Sequence, residues 1–88
     1  MIKLKARLNG IPFSIEIDGK IVTHEGFNEK GEWLKTQWFP PIEKKVITNL
    51  TPEEYAQWQL AKNEEDVYKL VKIDLIKNRC IITEEIKI

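Results

Sequence analysis

Ile2, Leu4, Ala6 and Leu8 alternate with Lys3, Lys5 and Arg7, a period of two that predicts a strand with one buried face. Asn9-Gly10 follows. This pair favours a type I′ turn, because both central residues of such a turn need φ > 0. Folding back about it sets Leu8 against Ile11, Ala6 against Phe13, Leu4 against Ile15 and Ile2 against Ile17, all on one face. On the other face Lys5 meets Ser14 and Lys3 meets Glu16. Pro12 falls opposite Arg7 and has no N–H, which predicts an edge or a bend beside the turn.

Asp18-Gly19 marks a second turn, and a third strand runs from Ile21 to about Phe27. Its inward set is either Ile21 and Thr23 or Val22 and His24, depending on the loop length. Asn28-Glu29-Lys30-Gly31 is a third turn, with Gly31 suited to the left-handed position that closes it. A fourth strand spans Glu32 to Phe39, with Leu34, Thr36 and Trp38 on one side and Trp33, Lys35, Gln37 and Phe39 on the other. Large rings lie on both sides of this strand. The first set is expected in the core. The second is either covered by the protein's own helix or bare. Pro40-Pro41 then ends the ladder in an extended exit, and a short strand at Lys45-Val46-Ile47 is one reading of the connector.

Thr51-Pro52-Glu53-Glu54 has the grammar of a helix start. Thr51 stands at N-cap, Pro52 at N1 and Glu54 at N3 of a capping box, with Leu50 and Tyr55 as its hydrophobic staple. This helix is expected to run to about Lys62, with Tyr55, Trp58 and Ala61 on one side and Ala56 and Leu60 on another. Asn63-Glu64-Glu65-Asp66 reads as an acidic break or one extra helical turn. Residues 67–77 carry two patterns. Val67, Leu70, Val71 and Leu75 have helical spacing, whereas Val71, Ile73 and Leu75 alternate. The β-branched content and the turn-like Lys77-Asn78-Arg79 favour a strand, paired as a hairpin with a last strand in which Cys80, Ile82, Ile86 and Ile88 share a face. The expected fold is α+β: an antiparallel β-meander or small partly open barrel, one short capped helix and a C-terminal hairpin.

Composition changes this picture little. Eighty-eight residues suit a single domain over 1–88, burying roughly 60–65% of its unfolded surface. Thirteen Ile against one Met suit a sheet. One Cys and one His allow neither an intrachain disulfide nor a structural zinc site built from those residues, so no metal and no cofactor are expected. The N-terminus lacks the apolar segment of a signal peptide, and no apolar run is long enough to span a membrane. With lone Cys80, these features predict a cytoplasmic protein without a membrane partner.

Fourteen charges of each sign leave no net charge, which argues against a dedicated duplex-DNA binder. His24 has no Ser or Cys beside it in a nucleophile motif, and Cys80 reads as a small core residue. The pairs Glu53-Glu54, Glu64-Glu65 and Glu84-Glu85 point apart on either a strand or a helix. A small enzyme would need His24 to approach a carboxylate or Cys80 in space.

The aromatics carry the functional signal. The expected function is a non-catalytic protein-interaction or assembly module, with a homodimer among its forms, working through Trp33, Lys35, Gln37, Phe39, Pro40, Tyr55 and Trp58. One alternative is a single-stranded nucleic-acid binder with a sheet like that of an OB barrel. Trp33, Trp38 and Phe39 would stack bases, and Lys3, Lys5, Arg7 and Lys35 would track phosphates. A mobile-element accessory or inhibitor protein is a third class of the same size and character.

Overall fold

A computed structural model describes residues 1–28, 30–39 and 51–88. The order of elements is β1 (Ile2–Leu8), β2 (Ile11–Asp18), β3 (Ile21–Phe27), β4 (Trp33–Trp38), α1 (Pro52–Leu60), α2 (Glu64–Lys77) and β5 (Ile81–Lys87). The strands form one open antiparallel sheet in the order β4-β3-β2-β1-β5, giving an α+β fold.

The first hairpin has the register its alternation predicts, from Leu8↔Ile11 through Ile2↔Ile17. Asn9 and Gly10 turn it at φ 52° and 79°. Pro12 stands where it does no harm, since the β2–β3 ladder begins one residue later, at Phe13↔Gly26. Gly19 and Lys20 join β2 to β3 in two residues, with Gly19 alone at positive φ (61°), as in a type II′ turn. That loop length decides the open register. Ile17 meets Val22 and Ile15 meets His24, so Val22 and His24 face the core side. Asn28 organises the third turn, its Oδ1 accepting from the N–H groups of Lys30 and Glu32, each at 2.9 Å, while Gly31 takes φ 78°.

The capping box of α1 is as expected: Thr51 Oγ1 accepts from the Glu54 N–H at 3.2 Å, and Glu54 Oε1 accepts from the Thr51 N–H at 3.1 Å. Leu50, Pro40-Pro41 and the connector strand at Lys45-Val46-Ile47 lie outside the described residues.

Residues 67–77 are not the first strand of a hairpin. They belong to α2, a 14-residue helix capped by Asn63, whose Oδ1 accepts from the Asp66 N–H at 2.9 Å. Val67, Tyr68, Val71 and Leu75 bury its inner face, and that burial outweighs the β-propensity of its Val and Ile. Lys77-Asn78-Arg79 is a helix C-cap and not a hairpin turn. The Cys80 N–H donates to the Leu75 carbonyl at 2.9 Å and the Arg79 N–H to the Ile76 carbonyl at 3.0 Å, the two bonds of a Schellman motif.

After this cap β5 pairs with β1 and completes the sheet. A bulge between Lys5 and Ala6 leaves Thr83 extra, its hydroxyl donating to the Lys5 carbonyl at 3.2 Å. The bulge breaks the face expected for this strand. Cys80 and Ile82 pack against the core, whereas Ile86 and Ile88 are exposed.

Both helices cover one face of the sheet. Ile2, Leu4, Ile15, Ile17 and Val22 from the strands meet Trp58, Ala61, Val67, Tyr68, Val71 and Leu75 from the helices. Glu64 pins the start of α2 to the sheet by accepting from the Gly19 N–H at 2.9 Å and pairing with the N-terminal amine at 3.1 Å. Lys77 ties α2 to α1 through Glu54 at 2.6 Å.

Candidate interaction surface

Among the described residues, no element packs on the face of β3 and β4 that points away from the helices. Register sets Phe27 beside Trp33, Glu25 beside Lys35 and Thr23 beside Gln37. Phe27 and Trp33 meet edge to face, with ring centroids 5.1 Å apart at 73°. Lys35 Nζ lies 3.3 Å from Glu25 Oε1, and Gln37 Nε2 donates to Thr23 Oγ1 at 3.1 Å. Ile21 alternates onto the same face at the opposite end of the hairpin, and it and Phe39, the residue after β4, are exposed. The result is a polar centre with an apolar group at each end. Phe27, Trp33 and Phe39 are 52%, 55% and 61% exposed.

Among the described residues, the other face of β4 is uncovered over most of its length as well. Leu34 and Thr36 point to the helix side, yet both are exposed, because the helices do not reach this edge; of the set expected in the core, only Trp38 packs against it. Among the described residues β4 pairs with β3 alone, so one row of its backbone groups faces outward.

Trp33, Lys35 and Gln37 therefore share one accessible face, as alternation predicts, and Phe39, just past the strand, is exposed. Pro40 lies outside the described residues. Tyr55 is half-buried against the core. Trp58 is a correction: at 2% exposure it is a core residue of α1 and presents no surface to a partner. Its ring is the largest of the side chains that fill the space between the helices and the sheet. Phe27 belongs to the surface and was not among the expected residues. Its outward direction follows only once the Gly19–Lys20 loop fixes which β3 residues face inward.

The nucleic-acid alternative needs Lys3, Lys5, Arg7 and Lys35 on the aromatic face. They do lie on the outer side of the sheet, but acidic groups interleave. Lys3 stands opposite Glu16, Lys5 pairs with Glu84 at 3.3 Å and Lys35 pairs with Glu25. Trp38 is on the other side.

On the helix side, His24, Asp74 and Cys80 line one cavity of about 570 Å³. The His24 ring packs on Phe13 with centroids 5.0 Å apart, and burial pushes its pKa below the ordinary value. Burial also pushes the Asp74 carboxyl up, against the opposing pull of Lys77 and of the Asn78 amide. Burial first, and the Asp74 charge second, push the Cys80 thiol up. No hydrogen bond joins His24 to Asp74 or Cys80 among the described residues. Burial that disfavours both the thiolate and the imidazolium works against an activated thiolate–imidazolium pair.

Among the described residues no three His, Cys, Asp or Glu side chains gather as a metal-binding group, and no helix is long and apolar enough to cross a membrane. No family model, no curated protein and no solved structure matches the chain.

Proposed function

We propose that the chain is a non-catalytic protein-interaction module that binds through the β3–β4 hairpin, with a second copy of itself as the first partner to test. The observation that carries this reading is the exposure of Phe27 and Trp33 on a sheet face without a helix, and of Phe39 just past it, at a strand that among the described residues pairs on one edge alone. Partner strands add to such edges through backbone hydrogen bonds, and alternate side chains supply specificity. Exposed aromatic rings flanking a polar centre suit a contact site, since aromatic residues are enriched at interfaces. A cytoplasmic setting fits the single free Cys80.

The test pairs Trp33→Ser with Phe39→Ser and reads sedimentation and stability together. The parent protein is expected to self-associate with rising concentration, and the double variant to remain monomeric with its unfolding free energy changed by less than about 0.5 kcal/mol. A stability loss above about 2 kcal/mol would make both side chains structural and remove the interface. A salt titration of oligonucleotide binding tests the nucleic-acid alternative. Fluorescence unchanged at low salt eliminates it.

A further inference from the structure

The two edges of the sheet differ in how they are guarded. Glu84, Glu85 and Lys87 lie along β5, and the bulge at Thr83 breaks its ladder. Charged side chains and bulges are the devices by which natural sheets keep other strands from adding to an edge. Strand β4 has no bulge and no row of charges. Its ladder to β3 is unbroken from Trp33 to Trp38, and its one charged residue, Lys35, is held toward β3 by Glu25 at 3.3 Å. Trp33, Leu34, Lys35, Thr36 and Gln37 are all exposed, and among the described residues the outer edge of β4 has no partner strand. An unguarded edge on a sheet whose other edge is guarded suits the addition of a strand.

The residues of β4 also select that strand. Two copies of one chain meet most commonly about a twofold axis. For antiparallel edges this axis stands normal to the sheet, so facing residues lie on the same face and the axis passes through a residue and not between two. Within β4 an axis at Leu34 or Gln37 pairs three residues of each copy, whereas an axis at Lys35 or Thr36 pairs five. An axis at Lys35 sets two ammonium groups directly opposite each other, which is destabilising. An axis at Thr36 avoids this. It brings the two Thr36 hydroxyls together and sets Lys35 opposite the partner's Gln37. Leu34 then faces the partner's Trp38, an apolar pair that Trp38→Phe preserves. Trp33 stands level with the partner's Phe39, and these rings are 55% and 61% exposed in the single copy.

We propose that β4 pairs antiparallel with β4 of a second copy about a twofold axis at Thr36, joining two five-stranded sheets into one continuous sheet. The proposal rests on the interaction reading above and assigns its partner, edge and register.

The test places single cysteines on β4 in a Cys80→Ala background, so that no native thiol competes. Facing residues of antiparallel strands have Cα atoms about 4.5–5.5 Å apart, within disulfide reach, whereas diagonal neighbours at about 7–8 Å lie outside it. In a thiol–disulfide buffer Thr36→Cys is expected to form a covalent dimer. Lys35→Cys alone and Gln37→Cys alone should run as monomers on a denaturing gel. A mixture of the two should crosslink, because the axis sets these positions opposite each other. The mixture tests the register without altering Thr36. Sedimentation of the parent protein is measured beside it. If the parent self-associates but Lys35→Cys crosslinks to itself, or no cysteine on β4 crosslinks, the Thr36 axis is overturned while self-association stands. If the parent remains monomeric at millimolar concentration, the axis and the self-association reading fall together.

Discussion

Arg79 holds a left-handed backbone at φ 62°, the position of the Schellman cap that glycine usually fills. An L side chain there crowds the following carbonyl, and glycine does not. Arg79→Gly is therefore expected to raise the unfolding free energy by about 0.5–1 kcal/mol in a denaturant melt, the relief at the cap exceeding the added freedom of the unfolded chain. A loss would mean that the Arg79 side chain makes a contact worth more than the strain. His24 makes a second case at this scale. Burial lowers its folded-state pKa below the ordinary 6.5. As pH falls through 6.5, the unfolded chain takes up a proton that the folded chain resists, so stability falls toward acid; well above 6.5 the effect is absent. Between about pH 7 and pH 5.5 the parent protein should lose stability relative to His24→Gln, and the imidazole Cε1–H should titrate below its ordinary value by NMR. A raised titration would show that the charged ring has a partner.

At the scale of elements, the readable parts were those in which local grammar and tertiary demand agree. The β1–β2 hairpin was legible residue by residue, because turn chemistry, alternation and register all select Asn9-Gly10 as its centre. The α1 cap was legible for the same reason. Helix α2 was not. Val71, Ile73 and Leu75 alternate as a strand would, and only packing reveals that Ile73 and Ile76 are solvent-facing while Val67, Val71 and Leu75 are buried. Asn63 before Glu64-Glu65-Asp66 was the missed start signal, an N-cap followed by an acidic first turn. Two substitutions check this assignment. Asn63→Ala is expected to cost about 1 kcal/mol and to speed amide exchange in the first turn of α2. Leu75→Ala should cost about 2–5 kcal/mol, while Ile76→Ala, one residue on and exposed, should change stability by less than about 0.5 kcal/mol. Comparable losses at both positions would place them on equally buried faces, which a single-sided helix cannot do.

The whole molecule presents two different faces of one sheet, and this explains how far its working parts could be read from the chain. Alternation alone groups Trp33, Lys35, Gln37 and Phe39, but whether that group is covered depends on where the helices pack. The cavity draws His24 from β3, Asp74 from α2 and Cys80 from the cap, segments joined only after the β3 register and the identity of α2 are known. Strand β4 belongs to both parts. Trp33 serves the outer face and Trp38 the cavity, five residues apart and roughly 16 Å along the strand. Side chains that distant, on opposite faces and without shared partners, are expected to act independently. Trp38→Phe should therefore leave the sedimentation behaviour of the parent protein unchanged. In the double variant of Trp33→Ser with Trp38→Phe the two stability changes should sum to within about 0.5 kcal/mol. A coupling above about 1 kcal/mol would show that the two faces of β4 are energetically linked, so that a change at the outer face shifts the packing around Trp38.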